Sequence, residues 1–225
     1  MDVFNIAKSI EKFIFELLMW LIFYPYTLFR VIFQPNAMME YARHETVRDE
    51  AVSFESGMKP AIFLFLSIVI AAYIAPVHKE ELAAMNSTQA GQYISASWVN
   101  LLFFRMLIYS IFPIVAALIY DLATPGQVTR KSLQIPFNQQ CYICAPFTLA
   151  TSSTFVLFQH TENPVYLGIF ILAQLWLLGS NFFFFRRQLG RAIIPSAAIS
   201  LMAFVIAWAG FLVITVLAVD YDGTA

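Results

Sequence analysis

The chain has 225 residues, of which 60% are hydrophobic and only 12% are charged. Water-soluble domains carry about 25% charged residues, so this composition excludes an ordinary soluble fold and indicates an integral membrane protein. The net charge of -1, without a long run of Lys and Arg, argues against a nucleic-acid partner.

Residues 1–59 are predicted to form a cytoplasmic or interfacial N-terminal region, and their first residues lack the pattern of a cleaved signal peptide. Within this region, residues 12–33 are apolar enough to span a bilayer but contain Glu16 and Arg30. Polar and amphipathic side chains recur at helical spacing, at Ser9, Lys12, Glu16, Trp20, Thr27 and Arg30. This pattern predicts an amphipathic helix that lies in the membrane interface or re-enters the bilayer. A sixth membrane span is the alternative.

The only sizeable soluble segment lies between Gln34 and Lys59. A short cytoplasmic helix is predicted here, with Asn36 as its N-cap and with Met39, Ala42 and Val47 on one side. Its mixed charges predict that the other side is solvated. Binding of a partner is the alternative role.

Five apolar windows follow, at residues 60–77, 97–120, 141–158, 166–185 and 193–219. About 20 apolar residues cross roughly 30 Å of hydrocarbon, and in lipid a helix satisfies its own backbone hydrogen bonds. The sequence therefore predicts an all-α integral membrane protein. Its bundle of five transmembrane helices would occupy residues 60–219, followed by a short external tail at residues 220–225.

Lys and Arg are distributed unequally among the predicted loops. Eleven lie before the first window or in the loops after the second and fourth windows, whereas the opposite loops contain only Lys79. Because cytoplasmic loops are enriched in Lys and Arg, we expect a cytoplasmic N-terminus and an external C-terminus. Three of these residues, Arg186, Arg187 and Arg191, follow the fourth span, where they can contact anionic lipid headgroups.

Arg105 is the one charged residue inside the windows. It lies roughly 12 Å below the predicted outer boundary, where a charge costs at least about 2.5 kcal/mol. Its guanidinium could snorkel outward past Asn100, or bond to carbonyl groups or to Gln174 or Asn181 of adjacent helices. It could also hold an anion, such as a lipid phosphate, a substrate or a carboxylate of another subunit. These four residues are the candidate anion- or lipid-binding site.

Cys141 and Cys144 lie at the predicted cytoplasmic end of the third span. The cytosol keeps thiols reduced, and a structural zinc ion needs four ligands, usually from two such pairs. The predicted role is packing of small side chains between helices, with lipid attachment and redox or metal chemistry as alternatives. No catalytic residue, metal or cofactor is predicted.

The same span contains the hydroxyl-rich stretch TLATSST, at residues 148–154. Small hydroxyl residues let membrane helices approach closely and hydrogen-bond to each other, so helix packing is the predicted role. A polar path through the membrane is the alternative.

The arrangement of a cytoplasmic N-terminal region, five closely spaced spans, tight loops and a very short tail resembles the Yip1-like superfamily. The likeness is carried by GMKPAIFLFLSIVIAAY at the first span and by the closing WAGFLVITVLAV, and it covers about residues 59–219 as topology. The resemblance implies a small polytopic protein of membrane trafficking or organisation. We expect it in a bacterial inner membrane.

Three functions remain open, in the order in which the sequence favours them. The first is a non-enzymatic membrane component that assembles with other membrane proteins or with itself, or organises lipid. The second is a small transporter or lipid-moving protein that binds an anionic group at Arg105. The third is a membrane enzyme acting on lipid, with His160 and Glu162 folded back from a loop. The windows lack acidic and histidine side chains, which disfavours the third.

Overall fold

The computed structural model describes residues 3–48, 53–76, 86 and 88–220, and this part of the chain is helical, without strands. The helices are α1 (Val3–Phe33), α2 (Pro35–Val47), α3 (Pro60–Ile74), α4 (Gln89–Ser95), α5 (Trp98–Ala123), α6 (Arg130–Thr161), α7 (Pro164–Leu189) and α8 (Ile193–Asp220). The all-α prediction is confirmed. Lys79 and residues 221–225 of the predicted tail lie outside the described residues.

Among these helices, five are long and apolar enough to cross a membrane. They are Lys8–Phe33 within α1, Trp98–Ala123 (α5), Arg130–Thr161 (α6), Pro164–Leu189 (α7) and Ile193–Ala218 within α8. By helix length and composition the chain is an integral membrane protein, as its composition predicted.

Helix α3, which occupies the first predicted window, is shorter than expected. It has 15 residues and ends at Ile74, so its length is about 22 Å, less than the roughly 30 Å of a hydrocarbon core. The apolar sequence continues to Val77, but Pro76 disfavours helical geometry in the residue before it. The span predicted at residues 60–77 is therefore not among the five helices that are long enough to cross a membrane.

Helix α6 forms the centre of the fold and packs against α2, α3, α5 and α7, while α8 packs against α5 and α7. Aromatic rings join the helices around it. The Phe112 ring of α5 lies 4.9 Å from that of Phe147 in α6 and 5.4 Å from that of Trp208 in α8. These are contact distances for aromatic pairs, which fix α5, α6 and α8 against one another.

Helix α2 begins earlier than its sequence suggested. Its N-cap is Gln34, and Pro35 is its first residue, a position that suits proline because the first amide needs no acceptor within the helix. The predicted N-cap at Asn36 was wrong by two residues. Met39 and Ala42 are buried as expected, but Val47 is 73% exposed because the helix ends there.

Candidate functional site

Arg105 lies about 10 Å along α5 from its first residue and reaches the end of α3. Its Nη2 atom donates a hydrogen bond of 3.0 Å to the carbonyl oxygen of Ala75, the C-cap residue of α3. The last carbonyl groups of a helix have no partner within it, and the helix dipole makes that end negative. The guanidinium cation of Arg105 therefore lies at the C-terminus of α3, where the helix dipole leaves negative partial charge.

This contact corresponds to one of the roles predicted for Arg105, hydrogen bonding to a carbonyl group of an adjacent helix. Asn100, one of its predicted neighbours, donates from Nδ2 to the Tyr93 carbonyl oxygen at 2.7 Å and so joins α5 to α4. Both residues hold short helices against α5.

Gln174 connects three helices near the middle of the bundle. Its Nε2 atom donates to Thr151 Oγ1 of α6 at 3.0 Å, and its Oε1 atom accepts from Trp208 Nε1 of α8 at 3.1 Å. Thr151 belongs to the hydroxyl-rich stretch, whose predicted role in bonding between helices is confirmed at this position. Gln174 thus acts here as a link between α6, α7 and α8.

A strip of buried polar groups follows one face of α6. Gln140 and Thr148 are fully buried, and their side-chain polar atoms have no hydrogen-bond partner among the described residues. Cys144 lies between them at four-residue steps, on the same helix face. The Oδ1 atom of Asn181, two turns beyond Gln174 in α7, is also buried without such a partner. Sequence reasoning missed Gln140 because it directly precedes the apolar window.

Both cysteines lie inside this packed region. Cys141 and Cys144 are free thiols with 0% and 1% of their surface exposed. The predicted packing of these small side chains between helices is confirmed. In the part of the chain that the structure describes, no three His, Cys, Asp or Glu side chains form a group that could hold a metal ion.

The residues named for an enzyme lie at the other end of α6. His160 is in its last turn, and Glu162 is its C-cap residue with a left-handed backbone. They therefore mark the turn from α6 into α7.

The basic residues after the fourth predicted span are all exposed. Arg186 and Arg187 lie in the last turn of α7, where positive charge complements the helix dipole, and Arg191 follows the helix. Arg187 also lines a small cavity of about 80 Å³ together with Glu40 and Arg43 of α2. These guanidinium groups are accessible to an anion, and their contact with lipid headgroups stays a prediction.

The helix around Glu45 makes side-chain hydrogen bonds that a helix solvated on one face does not need. The buried Glu45 carboxylate accepts hydrogen bonds from Arg48 Nη1 at 2.8 Å and from the backbone N–H of Phe54 at 2.7 Å. Burial raises the pKa of Glu45, but the Phe54 amide and the Arg48 guanidinium outweigh it, and the net pKa is lowered. Glu45 thereby fastens residues 53–58 to α2.

The same segment is fixed to the centre of the bundle. Tyr142 donates its hydroxyl to the Met58 carbonyl oxygen at 2.5 Å, and Gln139 Nε2 donates to the Met39 carbonyl oxygen at 3.0 Å. The backbone N–H of Met58 donates to Thr27 Oγ1 of α1 at 3.4 Å. Residues 27–48 and 53–58 therefore pack over the first half of α6.

No family model, curated protein or solved structure matches this chain. The resemblance to the Yip1-like superfamily stays a prediction. The fold itself defines the class, a helical integral membrane protein with a hydrogen-bonded centre.

Proposed function

We propose that this chain is a non-enzymatic polytopic membrane protein that assembles with other membrane proteins or organises lipid through α1. The observation that carries the proposal is the exposure of the first half of α1. Its large apolar side chains are 42–59% exposed around the helix: Ile10, Phe13, Ile14, Phe15, Leu17 and Leu18. Apolar surface of this extent marks a membrane or protein contact.

The contacts of α1 support an interfacial or re-entrant position. Lys12 and Glu16 border a groove opposite residues 53–59, Tyr24 Oη lies 3.0 Å from Ser67 Oγ, and the Ile32 carbonyl accepts from Trp176 Nε1 at 3.3 Å. These partners reach from the start of α3 to about the middle of α7. The partners named here therefore lie in this half of the bundle.

Basic residues at one side of the bundle support the proposed orientation. Lys59 is the N-cap residue of α3, Arg130 is the first residue of α6, and Arg186 lies in the last turn of α7. Helix α2 lies near these ends of α6 and α7, and basic residues favour the cytoplasm. We therefore place α1 in the cytoplasmic leaflet and the end of α8 outside, in a bacterial inner membrane. The Yip1-like resemblance adds membrane organisation or trafficking as the process.

Photocrosslinking in native membranes tests this proposal. A photoreactive phenylalanine analogue replaces Phe15 of α1 or, as the matched control, Leu172 of α7, which is 65% exposed. We expect position 15 to give a defined adduct with one membrane protein, with a second copy of this chain or with one enriched lipid class. Position 172 should crosslink to bulk lipid.

Equal labelling of bulk lipid from both positions would contradict the proposal, provided that the chain also extracts as a monomer without an enriched lipid. Identification of the adduct by mass spectrometry is needed, because capture of an unspecified protein would not distinguish assembly from random collision.

A small transporter is the second candidate, favoured by the buried polar strip of α6, with Gln140 and Thr148, and by the buried Asn181 Oδ1 of α7. Buried polar groups without partners are destabilising by about 1–3 kcal/mol each, so they are retained at a cost that a transported polar solute would offset. In liposomes, Gln140→Leu should abolish flux of such a solute and leave insertion normal. Unchanged flux would show that the polar strip is not a transport path.

A further inference from the structure

A groove of about 940 Å³ opens between the end of α5 and the start of α6. Helix α5 contributes an apolar wall, and α6 contributes an apolar ridge beside a polar one. The apolar lining is Ile114, Ala117, Leu118, Val128, Leu133 and Phe137, and the polar lining is Thr129, Arg130, Gln134 and Asn138. The groove is therefore apolar along its length and positively charged at one end.

The polar ridge follows from helix periodicity. Arg130, Gln134 and Asn138 are four residues apart, and so are Leu133 and Phe137, which places each set along one line of α6. From Arg130 to Asn138 the groove extends about 12 Å down the helix. Helix α5 presents Ile114, Ala117 and Leu118 over about 6 Å, and Ile114 is 50% exposed.

The charged end of the groove favours an anion. Arg130 and Lys131 occupy the first turn of α6, which contains no acidic residue. The helix dipole makes the N-terminus of α6 positive. The two basic residues there increase this positive potential, whereas acidic residues would offset it. Arg130 forms no ion pair within the described parts of the chain. The nearby Asp121 carboxylate accepts from Ser132 Oγ at 2.8 Å and is itself buried.

Hydrogen bonds of the lining residues Thr129 and Asn138 hold the walls of the groove in place. Thr129 and Ser132 form a reciprocal cap at the start of α6, with Ser132 N–H to Thr129 Oγ1 at 3.1 Å. Asn138 Nδ2 donates to Thr46 Oγ1 of α2 at 3.0 Å. The groove thus exists before a ligand binds, which lowers the ordering cost of binding.

We propose that this groove binds one anionic phospholipid, with an acyl chain along Leu118 and Phe137 and the phosphate group at Arg130. A soluble anion would use the charge but would leave the apolar wall exposed, whereas a neutral lipid would use only the wall. This lipid site makes the proposed lipid-organising function more specific, and it rests on the proposed position of the chain in the membrane. A protein can lose this site and still assemble through α1.

Native mass spectrometry of the full chain released from mild detergent tests the site. The probes are phosphatidylglycerol, phosphatidylcholine with the same acyl chains, and inorganic phosphate. We expect at least fivefold preference for phosphatidylglycerol over phosphatidylcholine, and about fivefold weaker binding in Arg130→Gln, the change expected for one basic residue near a membrane surface. Leu118→Trp should fill the groove and weaken the binding of both lipids.

Two matched controls separate the groove from general surface charge and bulk. Arg43→Gln removes an exposed charge of α2 outside the groove, and Leu122→Trp adds the same ring at a 66% exposed position of α5 outside the groove. Both should change lipid binding less than twofold. Equal binding of the two lipids, displacement of phosphatidylglycerol by inorganic phosphate alone, or no response to Arg130→Gln and Leu118→Trp would each overturn the inference.

The result can be distinguished from failure of the proposed function. If the α1 crosslink at position 15 persists while the groove shows no lipid preference, only the lipid site is wrong. If the lipid preference persists without any specific α1 adduct, the groove is right and the role of α1 is wrong.

Discussion

Helices α6 and α1 are both apolar and both long enough to cross a membrane, yet they occupy opposite environments. In α6, 72% of the residues in the most apolar window are buried, compared with 11% in α1. The buried helix contains the small and polar residues Cys141, Cys144 and Thr151, whereas the exposed half of α1 is rich in Phe, Ile and Leu. Apolar content therefore indicates compatibility with lipid, and small residues indicate which helix others can approach closely.

The largest effect on the free energy of unfolding is expected at Tyr142, in the buried helix α6. Its ring is fully buried, its centroid lies 5.8 Å from that of Phe63, and its hydroxyl bonds to Met58. Tyr142→Ala should lower the free energy of unfolding by about 3 kcal/mol, because a cavity and an unpaired carbonyl remain. Unfolding in mixed micelles with increasing SDS measures this.

Phe15→Ala in α1 is the matched control for Tyr142→Ala. The side chain of Phe15 is 58% exposed, so its removal should change the free energy of unfolding by less than about 0.5 kcal/mol. Similar losses in both variants would contradict the division between a packed centre and an open α1.

A smaller effect is expected where α5 supports the short helix α3. Arg105→Gln should lower the free energy of unfolding by about 2 kcal/mol, because the Ala75 carbonyl loses a charged donor at depth. Arg105→Lys should recover part of this loss. The faster amide exchange in the last turn of α3 is the local readout.

Arg186→Gln is the control for Arg105, since Arg186 is exposed at the end of α7. It should leave stability and exchange in α3 almost unchanged. If Arg105→Gln also leaves exchange in α3 unchanged, Arg105 does not support that helix, and binding of an anion becomes the better explanation of its position.

The smallest effect is expected from pH at Glu45. Its pKa is lowered in the folded chain, so its contribution is present above the unfolded pKa near 4.5 and is lost as pH falls through the lower folded value. The wild-type chain should exceed Glu45→Gln in the free energy of unfolding by about 1 kcal/mol at pH 7. Below the folded pKa the difference should disappear, as measured by unfolding at a series of pH values. A constant difference across that range would show that the carboxylate charge is not the cause.

Several features followed from the sequence because they depend on neighbouring residues alone. The helical class and the start of α8 are of this kind. The N-cap of α2 was misplaced because Pro35 and Asn36 both suit a helix start, and composition does not decide between them. The site was predicted only in part: Arg105 was recognised as costly at depth, but its partner at Ala75 lies 30 residues away.

By itself the sequence determined that this chain is a helical membrane protein, because its apolar windows and paucity of charge leave no soluble alternative. The tertiary structure alone shows that α6 lies at the centre, that α3 ends early against Arg105, and that residues 27–48 and 53–58 pack over the first half of α6. The physical reason is that these features depend on hydrogen bonds to backbone carbonyl groups and on close packing between distant segments. A hydropathy window averages over neighbouring side chains and contains no information on either.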